Sequence, residues 1–158
     1  TGQNEVLRLT QSQVGYSYRA VVSYIDSHGT REVLYTSPSE TIDNLDDPVQ
    51  GEVTIIGEPK EGVTLRALSN SLSDEDGIAS ISISWETSKD GRNWVGVNSL
   101  SGPVLSVGQS LVGSQVRARV AVVDNFGIET NLYSQATRTV ENVNNKPSGR
   151  IVIRRVGQ

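Results

Sequence analysis

The stretch Q-V-R-A-R-V-A-V-V-D-N-F-G, Gln115 to Gly127, decides the fold class. Val116, Ala118, Val120 and Val122 alternate with Arg117, Arg119 and Ala121, the period-two signature of a strand with one packed face and one wet face. Asp124-Asn125-Phe126-Gly127 then puts aspartate first and glycine fourth, the preference of a type I turn. The chain is expected to reverse there, and Thr130 to Val140 to return as an antiparallel neighbour.

Upstream, the same period recurs with turn residues between the runs. Glu52 to Ile56 alternates around Val53 and Ile55, and Gly62 to Leu68 around Val63, Leu65 and Ala67. After a polar loop that ends at Asp76-Gly77, Ile81, Ile83 and Trp85 alternate with Ser80, Ser82, Ser84 and Glu86. Lys89-Asp90-Gly91-Arg92 reads as a hairpin turn into a strand from Trp94 to Val97, because Asp-Gly accommodates positive φ cheaply. Asn98 to Pro103 reads as a loop, Val104 to Val107 as a short strand, and Gln109 to Gly113 as one helical turn closed by glycine. About seven short strands without an amphipathic helix predict an all-β fold, an antiparallel immunoglobulin-like β-sandwich. Trp85, among inward isoleucines on the central strand, is assigned to its core.

The deciding stretch is also present twice. Val6 to Ile55 aligns without a gap on Val104 to Ile153, 98 residues later, with 17 of 50 positions identical. A period near 100 residues is that of a whole domain, so the chain reads as a tandem repeat. Residues 1–45 are the C-terminal half of one repeat, 46–145 a complete repeat, and 146–158 the first strand of the next. Tyr18, Ala20, Val22 and Tyr24 are the inward positions of the first half-repeat. Without its opening strands that half exposes an edge and an apolar face. Neighbouring repeats of the same chain are its natural partners, and Gly149 to Arg155, an orphan first strand, makes intermolecular strand exchange an expectation.

Composition narrows the function classes. There is no cysteine, hence no disulfide framework and no thiolate metal site. The net charge is −4 with scattered basic residues, against a nucleic-acid surface. The longest apolar runs are about four residues, such as Val120 to Val123, far below the roughly 20 that insert in a membrane as a helix.

In this order and spacing, L-S-D-E-D-G at 72–77, I-S-W-x-x-S-K-D-G-x-x-W at 83–94, Q-S-L-V-G-x-x-V-R-A-R-V at 109–120, V-D-N-F-G at 123–127 and E-N-V-N-N-K-P-S-G at 141–149 carry a resemblance. They resemble the immunoglobulin-like or cadherin-like tandem repeats of large bacterial RTX-type adhesins and exoproteins. The resemblance covers essentially the whole chain. It implies an extracellular, cell-surface stalk between a cell anchor and a binding end, commonly stiffened by calcium, and leaves the surface glycan or protein receptor unknown. The second linker, Asn142-Val143-Asn144-Asn145-Lys146-Pro147, departs from that pattern in having no aspartate, whereas Asn44-Leu45-Asp46-Asp47-Pro48 keeps two.

Calcium takes six to eight oxygens, and the loop Ser73-Asp74-Glu75-Asp76-Gly77 offers carboxylates on a tight turn. Its competing reading is a solvated turn between strands. A junctional calcium site would draw on Asp43, Asn44, Asp46 and Asp47 of the first linker, with acids from Asp74 to Asp76 or from the Asp124 turn; Asp46, Asp47, Asp74, Asp76 and Asp124 are the nominated ligands. His28, the single histidine, sits in a turn, and no G-x-S-x-G elbow or paired-carboxylate cleft is legible, so no enzymatic activity is expected. The reading is a structural stalk repeat; the alternative is a carbohydrate- or protein-binding module, for which a platform of Trp94 with Tyr133 would be needed. Arg117 and Arg119 are placed on a solvated sheet face, within reach of Glu86 or Glu129.

Overall fold

A computed structural model describes residues 6–154. In chain order the strands are β1 (Val21–Ile25), β2 (Arg31–Tyr35), β3 (Thr54–Ile56), β4 (Thr64–Leu68), β5 (Ile78–Ser88), β6 (Val95–Ser101), β7 (Val104–Ser106), β8 (Gln115–Asp124) and β9 (Glu129–Tyr133). Every strand pairing is antiparallel. β3-β4-β7 form one sheet and β6-β5-β8-β9 the other, with β1-β2 a separate two-stranded sheet. The seven strands β3 to β9 thus make the antiparallel sandwich that the alternation predicts.

The constant-type immunoglobulin order places the fourth strand in one sheet with the first, second and fifth. Here the fourth strand, β6, pairs with the third. The Lys89–Arg92 turn explains why. Asp90 Oδ1 accepts the amides of Arg92 at 2.9 Å and Asn93 at 2.8 Å and the Ser88 hydroxyl at 3.0 Å. Gly91, at φ 70°, supplies the left-handed step. A turn this tight returns the chain directly alongside β5. The Asn93 and Arg92 amides, then the side chains of Asn93 and Ser88, hold the Asp90 carboxyl far below the ordinary carboxylate range.

The stretch Asn98 to Pro103, expected as a loop, is strand through Ser101 and turns only at Gly102. The last strand is correspondingly shorter than Thr130 to Val140. β9 ends at Tyr133, after which the amides of Ser134, Thr137 and Val140 still reach the carbonyls of Ala118, Val116 and Ser114 in an irregular continuation.

Burial along β8 alternates without exception, with Val116, Ala118, Val120, Val122 and Asp124 inside. Leu65 of β4, Leu105 of β7 and Trp85 of β5 close the core, and the Trp85 indole nitrogen donates to the Gly102 carbonyl at 3.0 Å. Ile81 corrects the expectation for its strand, being 41% exposed. β6 flanks β5 only from Ser84 onward, so the first half of β5 has β8 as its single neighbour.

The two aligned stretches make the same hydrogen bonds. Asp26 accepts the amides of His28 and Thr30, as Asp124 accepts those of Phe126 and Ile128. Thr36 bonds Ala20 through amide and hydroxyl, as Ser134 bonds Ala118, and Ser39 pairs with Tyr18 as Thr137 with Val116. Arg19 stacks on Tyr35 as Arg117 does on Tyr133. Of the expected inward residues of the first half, Tyr18 is half-buried and Ala20, Val22 and Tyr24 are open, Val22 being 54% and Tyr24 49% exposed. No strand is formed from Gly149 to Arg154, where Ile151 and Ile153 are fully in solvent, and Arg155 lies outside the described residues.

Candidate metal centre

Three separate segments converge at one end of the sandwich because of sheet register. Ile78, the first residue of β5, pairs with Asp124, the last of β8. The loop entering β5 therefore lies beside the turn leaving β8. Gly77, at φ 79°, makes this approach close: a Cβ there would collide with the Asn125 side chain. The linker is brought to the same loop by a two-way bridge, Gln50 amide to Ser73 carbonyl at 2.8 Å and Ser73 amide to Gln50 carbonyl at 3.0 Å.

The result is a cluster of Asp46, Asp76 and Asp124, one carboxylate oxygen of each within 4.8 Å of the others. Asp76 and Asp124 are buried and Asp46 is at the surface. Asp76 Oδ2 accepts the Asp47 amide at 2.9 Å, and Asp124 Oδ1 accepts two amides at 2.8 Å. Their other oxygens, Asp76 Oδ1 and Asp124 Oδ2, are buried without a hydrogen-bond donor. Neither salt bridge among the described residues involves the cluster. Loss of water, then the negative charges of Asp124, Asp76, Asp74 and Asp47, raises the Asp46 carboxyl above its ordinary value.

Buried carboxylate oxygens with neither donor nor cation are unfavourable, and like charges at this spacing add to the cost. A hard cation with oxygen ligands removes both penalties at once. The cluster therefore fits a metal ion. Of the five nominated acids, the structure unites Asp46, Asp76 and Asp124. Asp74 lies outside this trio, and its Oδ1 accepts the Asp76 amide at 2.8 Å. Asp47 contributes its backbone amide to Asp76 and, with Pro48, Gln50, Ser73, Asp74 and Glu75, lines a cleft of about 330 Å³.

The outer face of the larger sheet departs from a solvated reading. The Arg117 guanidinium lies 4.3 Å from the ring centres of both Trp94 and Tyr133 and pairs with Glu86 at 2.7 Å, both charged side chains being mostly covered. The arginine thus occupies a face of each aromatic ring that a sugar would need. Of the two acids expected within reach, Arg117 takes Glu86, its partner in the β5-β8 register.

No protein-family model, curated protein or solved structure matches this chain.

Proposed function

We propose that this chain is a structural extender segment from the stalk of a secreted or cell-surface bacterial adhesin, built of tandem sandwiches and rigidified at a junction by calcium. The observation that carries the reading is the Asp46–Asp76–Asp124 cluster. Two of its members belong to the sandwich and the third to the linker entering it, so anything that satisfies all three fixes the linker's direction. Calcium, when bound, supplies the positive charge and the oxygen affinity that this set lacks. The shared hydrogen bonds 98 residues apart support the tandem arrangement. A binding module ranks second, because Arg117 already covers one face of Trp94 and one of Tyr133.

Thermal unfolding of the chain in EDTA and in millimolar calcium tests this. A ligand bound only by the folded state, at 100 times its dissociation constant, stabilises by about 2.7 kcal/mol. The expected outcome is a rise in Tm that Asp46→Asn abolishes. An unchanged Tm in wild-type protein would remove calcium from the proposal.

A further inference from the structure

The second linker has its own partner, and that partner is not an acidic cluster. Glu61, in the loop before β4, faces residues 142–145 with its carboxylate. Its Oε2 accepts the Val143 amide at 3.0 Å and its Oε1 the Asn145 side-chain nitrogen at 3.3 Å. With the Gln109 amide turned so that its nitrogen faces the acid, which gives up the 3.3 Å bond of Nε2 to Asn142 Oδ1, Gln109 donates to the two oxygens at 2.9 and 3.2 Å. The backbone adds two bonds: the Glu61 amide to the Glu141 carbonyl and the Glu141 amide to the Pro59 carbonyl, each 2.9 Å.

We infer that this is a cation-independent clasp, which holds the outgoing linker to the sandwich it leaves and makes the second joint insensitive to calcium. The inference rests on the proposed function only for the contrast between joints; the clasp itself stands on these contacts. The side chains that bond Glu61, Asn145 and the turned Gln109, are neutral donors, so one negative charge is met by hydrogen bonds without a metal. The chemistry depends on amides where the first linker has acids. Asn144 and Asn145 occupy the positions of Asp46 and Asp47, 98 residues on. An aspartate at 145 would present a like charge to Glu61 in place of a donor. In this chain the linker with carboxylates reaches the sandwich it enters through Asp46 and the Asp47 amide, and the linker with amides is bonded by Glu61 to the sandwich it leaves.

Amide hydrogen exchange of Val143 in the full chain, followed in EDTA and in 5 mM calcium (about 5 mM, the range that would load a weak extracellular site), tests the clasp. Expected are equal protection of Val143 in both conditions and a roughly tenfold or greater loss of protection in Asn145→Asp and in Glu61→Ala, with Asp46→Asn having no effect there. Asn145 is exposed, so its substitution leaves the sandwich folded. Fast exchange of Val143 in wild-type protein, or protection that rises with calcium, would overturn the inference. A chain whose Tm ignores calcium but whose Val143 is protected would end the calcium reading and leave the clasp intact.

Discussion

Val22 and Val120 occupy equivalent places in two stretches that share their turns, ladders and arginine–tyrosine stacks, yet one is 54% exposed and the other fully buried. The backbone of a hairpin with an aspartate turn is thus set by local chemistry: the Asx bonds of Asp26 and Asp124, and a glycine at positive φ three residues on. Burial is set by something the two stretches do not share. Residues 56–103 contribute Leu65, Ala67 and Trp85 over β8 and its neighbours, and β1-β2 has no counterpart to them among the described residues. The same division applies to charge. Asp26 and Asp124 cap identical turns, but only Asp124 has Asp46 and Asp76 against it.

The largest expected difference between the copies is in their response to calcium. An asparagine at either turn keeps the acceptor oxygen and the two amide bonds, and removes only the charge. On the proposed function, Asp124→Asn should abolish a calcium-dependent stabilisation of about 2.7 kcal/mol at saturating ion, whereas Asp26→Asn should retain all of it. Paired melting curves in EDTA and calcium decide this. Equal loss in both variants would mean that the ion is bound by turns in general, and the contrast drawn from the cluster would fail.

Next in size is the packing contrast. Val120→Ala removes two methyl groups from a filled core and should destabilise the sandwich by roughly 2 kcal/mol, the sum of lost transfer energy and a cavity. Val22→Ala, at the matching position, should change the unfolding of the same sandwich by under about 0.5 kcal/mol. Urea titration of both variants measures the pair. A comparable cost for Val22→Ala would show that the open face of β1-β2 is covered in solution.

These contrasts also explain what was legible in the sequence. Alternation and Asp-Gly or Asp-x-x-Gly turns act over a few residues, so β8, its turn and the Lys89–Arg92 hairpin could be read directly. The extent of β6 could not, because Asn98 to Pro103 has the serine, glycine and proline content of a loop, while its strand end is set by the pairing of Ser101 with Ser84 of β5. Ile81 was misjudged for the same reason: its pattern is that of a core residue, but its exposure depends on how far β6 reaches. At the candidate site the sequence nominated five aspartates by type and proximity to turns. The selection of Asp46, Asp76 and Asp124 depended on the pairing of Ile78 with Asp124 and on the Gln50–Ser73 bridge, which are long-range facts. Glu61 carried no motif at all, and only its contact with residues 143 and 145 identifies it.

The smallest expected effect is proton-linked and concerns Asp46, which the second stretch replaces with Asn144. A carboxyl whose value is raised on folding binds protons more tightly in the native state, so its unfavourable contribution grows as pH rises above the unfolded value of about 4 and is fully present above the folded value. Acidification relieves it. Asp90 has the opposite sign: its depressed value contributes stability above about 4 that is lost only toward strongly acid pH. In EDTA at neutral pH, Asp46→Asn should therefore melt slightly higher than wild type, because it removes a charge crowded by Asp124 and Asp76. Below about pH 4 the advantage should vanish, since Asp46 is then protonated in wild type as well, while the Asp90 contribution falls equally in both proteins and cancels from the difference. A Tm difference independent of pH would mean that the substitution acts through the linker backbone, and that Asp46 is not electrostatically coupled to the two buried aspartates.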